Sequence, residues 1–385
     1  MSAAGKDLKK SLSGSGVEII EIKSKRDMLD FIELPLSLYR NDPLYSPQLT
    51  HDLKVHFSDK NPFFKDADAD FFLAYKNGKI AGRIVSIINH LHIRVWKEAA
   101  GFFGFFESIN DKDVSRALLD TVYRRLMEKG MKIMRGPMNF STNEECGFLI
   151  DGFGEAAMLM MPYNPPYYND LMCDYGLMKS KDLHAYIHEV EEKLPEKVLR
   201  VAAIAEKRGI KTRQVTKDHF MPAMRGFREV YNSAWEHNWS FIPMTEDELE
   251  YSTKRLKPLV VSDMTIVAEK DGEPVGFLGM LPDFNFVLRK MQGKLNPLTL
   301  AKGLYYSKKI PDLRMLLLGI KPEYRNRGVD GILFREAFKG VKRGKYRRVE
   351  FSWILEDNIN IIRLIEMIGG KLYKRYRIYE KEIKG

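Results

Sequence analysis

The sequence predicts a mixed α/β fold that occurs twice along the chain. Runs of alternating apolar residues, typical of strands, are interleaved with amphipathic helical runs over the whole sequence. Each half also contains one sequence typical of a hairpin turn, Asn77-Gly78 in the first half and Asp271-Gly272 in the second. The residues around these turns recur at one constant offset, with four matched positions in each half: Ala74, Lys76, Gly78 and Gly82, and Ala268, Lys270, Gly272 and Gly276. We therefore expect a duplication with a mixed sheet in each half.

Size and composition limit the class of protein. A chain of 385 residues, of which 44 % are hydrophobic, can bury two cores. Only Cys146 and Cys173 occur, which excludes a disulfide framework and a cysteine-rich zinc site, and no metal is predicted. The start of the chain lacks the apolar region of a signal peptide, and the run AAGFFGFF is too short to cross a bilayer. These features favour a cytoplasmic protein, and the net charge of +10 favours anionic partners.

The first half follows a Gly/Ser/Lys-rich segment, residues 1–16, that we predict to be disordered. The spacing of apolar residues distinguishes strands from helices in this half. Gly130 marks the end of the long helix DVSRALLDTVYRRLMEKG. The predicted elements are strand VEIIEI, helix KRDMLDFIELPLSLYRN, hairpin ADFFLAYKNGKIAGRIVSIINH, strand GFFGFFES, helix DVSRALLDTVYRRLMEKG, strand MKIMRGPMNF, helix YYNDLMCDYG and strand DLHAYIHEV.

The second half repeats this order after the charged stretch EEKLPEKV, which contains Pro195. We therefore predict two domains, 17–194 and 195–385, and a basic insertion at 284–311 in the second. The predicted elements are strand IKTRQVT, helix HFMPAMRGFREVYNSAWEHNW, hairpin MTIVAEKDGEPVGFLGML, strand LRMLLLGI, helix DGILFREAFKGVKRG, strand RRVEFSWIL, helix NIIRLIEMIGG and strand RYRIYEKEI.

One turn has the chemistry of an anion site. A strand ending at Ile320, an arginine- and glycine-rich turn and a helix opening at Val329 direct backbone N–H groups to one spot. Residues 325–330 here resemble the signature Arg/Gln-x-x-Gly-x-Gly/Ala of the GCN5-related N-acetyltransferase (GNAT) superfamily, except that Asp330 takes the last place. The family's second signature resembles EDNINIIRLIEMIGG, with Asn358 and Gly369.

The resemblance implies that the donor substrate is acyl-CoA or acetyl-CoA. In the family, the fourth and fifth strands separate and the pantetheine arm lies between them, with a backbone N–H near Leu317 aimed at the thioester carbonyl. The implied donor-binding residues are Leu318, Gly319, Ile320, Arg325, Asn326, Arg327, Gly328, Val329, Gly331 and Asn358. We expect Asp330 to turn outward as a first-turn residue, and the alternative is that it marks a lost site.

The candidate catalytic residues are Glu356, Asn358 and Glu236. A general base must take a proton from the amine, and carboxylates in these places suit that role. Solvated surface charge is the alternative. Many family members have a tyrosine acid seven residues after the strand-five asparagine, and Ile365 stands there instead.

The first half departs from the family. Its corresponding turn, ESINDKDVSRA, is acidic, so we predict no donor binding there. Its polar loops nevertheless suit an acceptor pocket between the domains, completed by two tryptophans expected at i, i+4 on one helix. The alternative is structural turns and core packing. The residues of this predicted pocket are Asn139, Ser141, Asn143, Glu144, Tyr163, Asn164, Trp235 and Trp239.

The insertion 284–311 contains six basic residues and no acidic residue. Basic residues among apolar ones suit peripheral contact with an anionic membrane or a cover for a lipid chain. A lid helix that packs on its own domain is the alternative. Nucleic acid is a less favoured partner, because the helix-turn-helix, zinc-finger and RNA-recognition signatures are not evident.

The resemblance implies an acyl-CoA-dependent N-acyltransferase that acts on a small-molecule or lipid amine, such as a sphingoid base. The chain resembles tandem enzymes of this superfamily and bacterial acyl-CoA N-acyltransferases that share GPMNFSTNEECG and MMPYNPPYY. The alternatives are a Fem-like transferase that depends on aminoacyl-tRNA, and a non-catalytic protein that binds acyl-CoA or docks. The sequence makes no prediction of oligomeric state.

Overall fold

The structure is a computed structural model that describes residues 16–384, without the side chains of residues 217, 221 and 222. The segment predicted to be disordered, 1–16, lies outside this range except for Gly16. Among the described residues 16–384, no helix has both the length and the apolar character needed to cross a membrane.

The chain divides into two compact units. The first takes the chain up to Leu183, residues 292–294 and the segment from Arg375 onward. The second takes His184–Met291 and Leu295–Lys374. The domain limits expected from the sequence, 17–194 and 195–385, stay a prediction, because compactness alone does not define an independently folding domain.

The first unit is built on a sheet with strand order β1-β2-β3-β4-β5-β13-β7, and β6 pairs with β13. Its strands are β1 (Val17–Glu21), β2 (Ala67–Lys76), β3 (Lys79–Asn89), β4 (Ala100–Ser108), β5 (Ile133–Gly136), β6 (Phe148–Asp151) and parts of β7 (Met178–Glu189) and β13 (Lys371–Glu382). Its helices are α1 (Lys25–Leu38), α2 (Thr50–His56), α3 (His90–Trp96), α4 (Lys112–Glu128) and α5 (Tyr167–Asp174).

The second unit has strand order β8-β9-β10-β11-β12-β7. Its further strands are β8 (Ile210–Gln214), β9 (Thr265–Lys270), β10 (Glu273–Pro282), β11 (Asp312–Ile320) and β12 (Arg348–Leu355). Its helices are α6 (Glu196–Lys207), α7 (Phe220–Trp235), α8 (Glu246–Leu256), α9 (Asn285–Met291), α10 (Pro297–Ser307), α11 (Val329–Arg343) and α12 (Ile359–Met367).

Each unit contains a parallel strand pair, β4 with β5 in the first and β11 with β12 in the second, beside antiparallel pairs. The predicted mixed sheet is therefore confirmed. The closing strand of the first unit comes from a distant part of the sequence, since Tyr379–Glu382 of β13 pairs antiparallel with Ile133–Gly136 of β5.

The two hairpins confirm the predicted duplication in detail. Ala74 pairs with Gly82 across one hairpin, and Ala268 pairs with Gly276 across the other. Both residues of each turn have positive φ, between 52° and 88°. This is the conformation of type I′ turns, which Asn-Gly and Asp-Gly favour.

The matched glycines have the same packing role. A Cβ atom at Gly82 would lie 2.8 Å from Leu118 Cδ1 on α4. A Cβ atom at Gly276 would lie 2.8 Å from Val329 Cγ1 on α11. In each unit the absence of a side chain here lets the helix after β4 or β11 approach the hairpin. This explains why both copies have glycine at this position.

Helices α6 and α8 of the second unit were not predicted, and the insertion, for which one lid helix is the alternative interpretation, contains α9 and α10. Helix α6 follows Pro195, and α8 begins with a capping box in which the Thr245 hydroxyl accepts the Glu248 N–H. The expected helix over residues 219–239 is too long, because α7 ends at Trp235.

Candidate active site

A fork between two parallel strands forms the candidate site of the second unit. Asp312–Met315 of β11 pairs with Arg348–Phe351 of β12. Both strands then continue, to Ile320 and Leu355, with no further ladder pair between these described segments. Backbone groups at the separating ends thus face a gap that can accept an extended ligand.

A bulge lies on β11 where the fork opens. Gly279 pairs with Leu317 and Met280 with Met315, so Leu316 is left without a partner on β10. Such a bulge bends a strand and re-aims its backbone groups. The predicted donor-binding backbone around Leu318 follows this bulge directly.

The first unit has the same fork, but its own chain fills it. After β5, the Met138 N–H donates to the Phe103 carbonyl at 2.8 Å. The Phe105 N–H donates to Asn139 Oδ1, also at 2.8 Å. A Cβ atom at Gly104 would lie only 1.9 Å from the Met138 carbonyl oxygen, so this close approach requires glycine. The first fork is therefore closed by the segment 137–139.

The helices beside the two forks begin differently. Gly328, the N-cap of α11, has φ of 87° and supplies no side-chain cap. In the first unit, Asp111 Oδ1 accepts the N–H of Asp113 (3.0 Å) and of Val114 (3.1 Å) at the start of α4. Burial raises the pKa of Asp111, but hydrogen bonds from Lys76 and Val114 outweigh it and hold the pKa below its usual value. The first unit thus supplies its own anion where the second leaves N–H groups available.

The charged residues of the turn have different surroundings. Arg325 donates through NH2 to the Ala234 carbonyl near the end of α7 at 2.7 Å. The Arg327 guanidinium is exposed and lies 5.5 Å from the centre of the Tyr324 ring. Asp330 is half-buried in the first turn of α11, and its carboxylate forms no hydrogen bond or ion pair with the residues that the structure describes.

The glycines near the fork also allow close helix packing, which the motif does not reveal. A Cβ atom at Gly328 would lie 2.4 Å from the Val201 carbonyl on α6, and one at Gly331 would lie 2.7 Å from Val201 Cγ1. A Cβ atom at Gly319 would lie 2.6 Å from the Trp235 ring. These glycines therefore bring α6 and α7 against α11 and β11.

The first-unit residues predicted to contact the acceptor lie in loops after β5 and before α5: Asn139, Ser141, Asn143, Glu144, Tyr163 and Asn164. Asn164 is buried, and its amide bonds both the N–H (2.7 Å) and the carbonyl (3.3 Å) of Leu149. Ser141 Oγ accepts the Asn143 N–H at 3.2 Å. These contacts give Asn164 and Ser141 a structural use in the loops.

The two predicted acceptor tryptophans lie in the second unit. Trp235 is the last residue of α7 and packs beside Gly319. Trp239 lies in the turn beyond the helix, so its expected helical pairing with Trp235 is wrong. The helix stops four residues earlier than its apolar pattern indicated. A pocket shared with first-unit residues stays a prediction.

The catalytic candidates follow elements that end at the open side of the fork. Glu356 is half-buried directly after β12, and Asn358 is the N-cap of α12. Glu236 is exposed directly after α7. Ile365 is buried in the core of the unit, so this position supplies no tyrosine hydroxyl to act as a general acid.

A buried charged group at the closed end of the fork was not predicted. Arg314 and Glu350 are partners across β11 and β12. Arg314 Nε donates to Ser352 Oγ at 2.7 Å, and the hydroxyls of Ser352 and Tyr373 donate to the Glu350 carboxylate. The sequence feature that could have predicted this pair is a charged residue inside each of two apolar strand runs, LRMLLLGI and VEFSWIL.

Comparison with known proteins agrees with this geometry. The model of the acetyltransferase (GNAT) family matches residues 224–369. A tandem GNAT protein from the clavulanic acid biosynthesis pathway has a similar fold, with a TM-score of 0.55 at 13 % identity, over 96 % of this chain and 99 % of that chain.

Two relatives match almost end to end. Protein YghO of Escherichia coli (strain K12) is 34 % identical over 94 % of this chain and 94 % of its own length. Bacterial ceramide synthase of Caulobacter vibrioides (strain NA1000 / CB15N) is 30 % identical over 96 % of this chain and 99 % of its own length. The chain therefore belongs to the acetyltransferase (GNAT) family and is an N-acyltransferase with two GNAT-like domains in tandem.

Proposed function

We propose that the second unit transfers an acyl group from acyl-CoA to the amine of a lipid. The open fork between β11 and β12, beside the uncapped start of α11, carries this proposal. The first unit supports it by contrast, because segment 137–139 and Asp111 fill the corresponding places. One donor per chain is therefore expected.

The first fork also supports a position for the thioester. Ser86 and Gly82 pair with Phe103 and Ser108, and their repeat counterparts Met280 and Gly276 pair with Met315 and Ile320. The two strand segments between these pairs have equal length, and counting along them matches Phe105 to Leu317, although their bulges lie at different positions. Since the Phe105 N–H donates a hydrogen bond to the amide oxygen of Asn139, we propose that the Leu317 N–H donates one to the thioester carbonyl. Such a donor stabilises the tetrahedral intermediate by roughly 3 to 4 kcal/mol.

The turn after β11 would hold the pyrophosphate of coenzyme A. The N–H groups at the start of α11, from Val329 to Gly331, supply hydrogen-bond donors, and Arg327 supplies a positive charge. The Asp330 carboxylate weakens this site if it faces the phosphates, since like charges about 4 Å apart repel by about 4 kcal/mol near a protein surface.

The reaction forms one bond and breaks one. The neutral amine nitrogen attacks the thioester carbonyl carbon, the C–N bond forms, and the C–S bond breaks to release the coenzyme A thiolate. The amine proton passes to a carboxylate, for which Glu356 and Glu236 are the candidates, or to water. A thiol pKa of about 8.5 makes the thiolate a tolerable leaving group without an acid at Ile365.

The acceptor class rests on one relative. A protein named bacterial ceramide synthase matches this chain over nearly its whole length. Because a ceramide is an N-acylated sphingoid base, we assign a lipid amine of this kind as the acceptor and a long-chain acyl-CoA as the donor.

Calorimetric titration with acetyl-CoA and palmitoyl-CoA, kept below micelle-forming concentrations, tests the proposal. We expect saturable binding of palmitoyl-CoA with one site per chain. Arg327→Ala should weaken it about tenfold, the loss expected for one charge-assisted hydrogen bond. Arg343→Ala, which removes the same charge at the other end of α11, is the matched control.

Turnover is measured as release of the coenzyme A thiol with a sphingoid base and with soluble amines. Binding of tRNA without binding of acyl-CoA would replace the proposal with the aminoacyl-tRNA-dependent transferase. Binding of acyl-CoA without thiol release over a broad amine panel would instead support a non-catalytic binding protein.

A further inference from the structure

The insertion between β10 and β11 exposes an apolar helix. Of the large hydrophobic side chains that are exposed in residues 16–384, five of thirteen fall within eleven consecutive positions: Leu295, Leu298, Leu300, Leu304 and Tyr305. Leu298 and Leu304 on α10 are 68 % and 64 % exposed. A contiguous apolar surface of this kind indicates a binding partner.

The opposite side of α10 is fixed to the protein. A Cβ atom at Gly303 would lie 2.7 Å from Met291 Sδ on α9, and the Tyr306 ring packs edge-on against Phe286 at 6.0 Å. Helices usually direct leucines to the core and polar residues to solvent. Helix α10 is anchored by a glycine and a tyrosine and directs its leucines outward, so the predicted alternative of a lid helix accounts only for the inner face.

The charge around this face identifies the partner. No acidic residue occurs from 284 to 311. Lys302 and Lys308 are exposed and pair with no acidic group in the described part of the chain. The Lys309 ammonium donates to the Tyr305 hydroxyl and lies 4.0 Å from the centre of its ring. An apolar face with a basic rim complements an anionic lipid surface, whereas a second copy would bring the same lysines into opposition.

The length of α10 decides how it would meet lipid. Its eleven residues span roughly 16 Å, about half of the hydrocarbon core of a bilayer. A helix of this length lies in the interface with its apolar side chains inserted and its lysines at the headgroups.

We propose that the outer face of α10, with its lysine rim, docks the protein on an anionic lipid bilayer. The insertion joins the end of β10 to the start of β11, whereas the Arg325–Gly331 turn follows the other end of β11, nine residues and roughly 27 Å away. The second unit thus meets lipid at one end of β11 and solvent-borne phosphate at the other. The docking itself does not depend on the proposed reaction.

Vesicle flotation of the full chain tests this inference. Phosphatidylcholine vesicles containing phosphatidylglycerol should carry the protein, and phosphatidylcholine alone should carry much less. Binding should weaken as salt rises and the screening length falls from about 10 Å at 0.1 M to about 3 Å at 1 M. Leu298→Glu/Leu304→Glu should reduce binding at least tenfold, the loss expected when two leucines no longer insert. Met178→Glu, at a position 71 % exposed in the first unit, should leave it unchanged.

Several outcomes would overturn the proposal. They are absence of flotation with anionic vesicles, equal flotation of the α10 variant, and a dimer that the same variant converts to monomer, which would assign this face to a second copy. Palmitoyl-CoA calorimetry on each variant separates the two proposals. An α10 variant that keeps acyl-CoA binding and loses vesicles supports docking, while a wild-type chain that binds vesicles but no acyl-CoA overturns only the proposed function.

Discussion

The buried carboxylate of Glu350 shows how one residue ties the two fork strands together. It is fully shielded from solvent, and its Oε1 lies 3.7 Å from Arg314 Nε. Arg314 also bonds the hydroxyl and the carbonyl of Ser352, at 2.7 and 3.1 Å. The pair holds β11 and β12 together just before they separate.

Arg314→Met should destabilise the protein by about 3 to 5 kcal/mol, because it leaves a buried carboxylate without its counter-charge. Adding Glu350→Gln should recover part of this loss. Urea denaturation measures the free energy of unfolding.

Arg343→Met is the matched control for this prediction, since Arg343 forms an exposed pair with Asp263 at 2.9 Å. It should cost less than about 1 kcal/mol. Equal losses of unfolding free energy for the two arginine variants would show that Arg314 does not stabilise the buried Glu350 carboxylate.

At the same scale, the sequence predicted the residues of the anion turn but not all their contacts. The turn, the helix start at Val329 and the arginines are local features, and the structure has the predicted turn and helix start. The packing of Gly328 against Val201 and the bond from Arg325 to Ala234 depend on helices distant in sequence. A motif cannot reveal such contacts.

Among the elements, the two forks show how a duplicated fold diverges. Both have a parallel pair that ends early and a bulge on the strand next to the gap. In the first unit, segment 137–139 occupies the gap between the two strands. This closure uses a glycine at 104, which allows the close approach, and an amide at 139, which bonds β4.

Gly104→Ala tests this closure. Its Cβ would overlap the Met138 carbonyl oxygen, so segment 137–139 must move, at a cost of about 3 kcal/mol, the upper end for overpacking. Thermal or urea unfolding measures the loss. Gly154→Ala is the matched control, because nothing lies within 4 Å of its added Cβ. A fully stable Gly104→Ala variant would mean that the fork is open in solution.

Element prediction succeeded where the pattern was strong and local. The two hairpins have turns that Asn-Gly and Asp-Gly determine by themselves. Helix α6 was missed because its apolar residues follow a charged stretch that was interpreted as a linker. Apolar spacing that continues beyond Trp235 predicts a helical position for Trp239, although the backbone turns there.

For the whole molecule, β13 is the element that completes the first unit. Arg377 forms a two-bond pair with Asp182 at 2.8 and 2.9 Å, and Glu380 accepts from Arg135 at 2.8 Å. A chain that ends at Lys374 should therefore lose the fold of the first unit. Hydrogen exchange of Ile133–Gly136 should become fast, and a peptide of residues 371–385 added in trans should restore protection. Unchanged protection in the shortened chain would contradict this role of β13.

The origin of β13 has a consequence for biosynthesis. Arg135 and Glu380 are 245 residues apart along the chain, so β13 leaves the ribosome long after β5 does. Domains often fold in the order in which they are synthesised. Here the first unit must wait, with the edge of β5 unpaired, until β13 has been synthesised. Exposed strand edges promote aggregation, so the yield of native protein should depend on chaperones that shield this edge during synthesis.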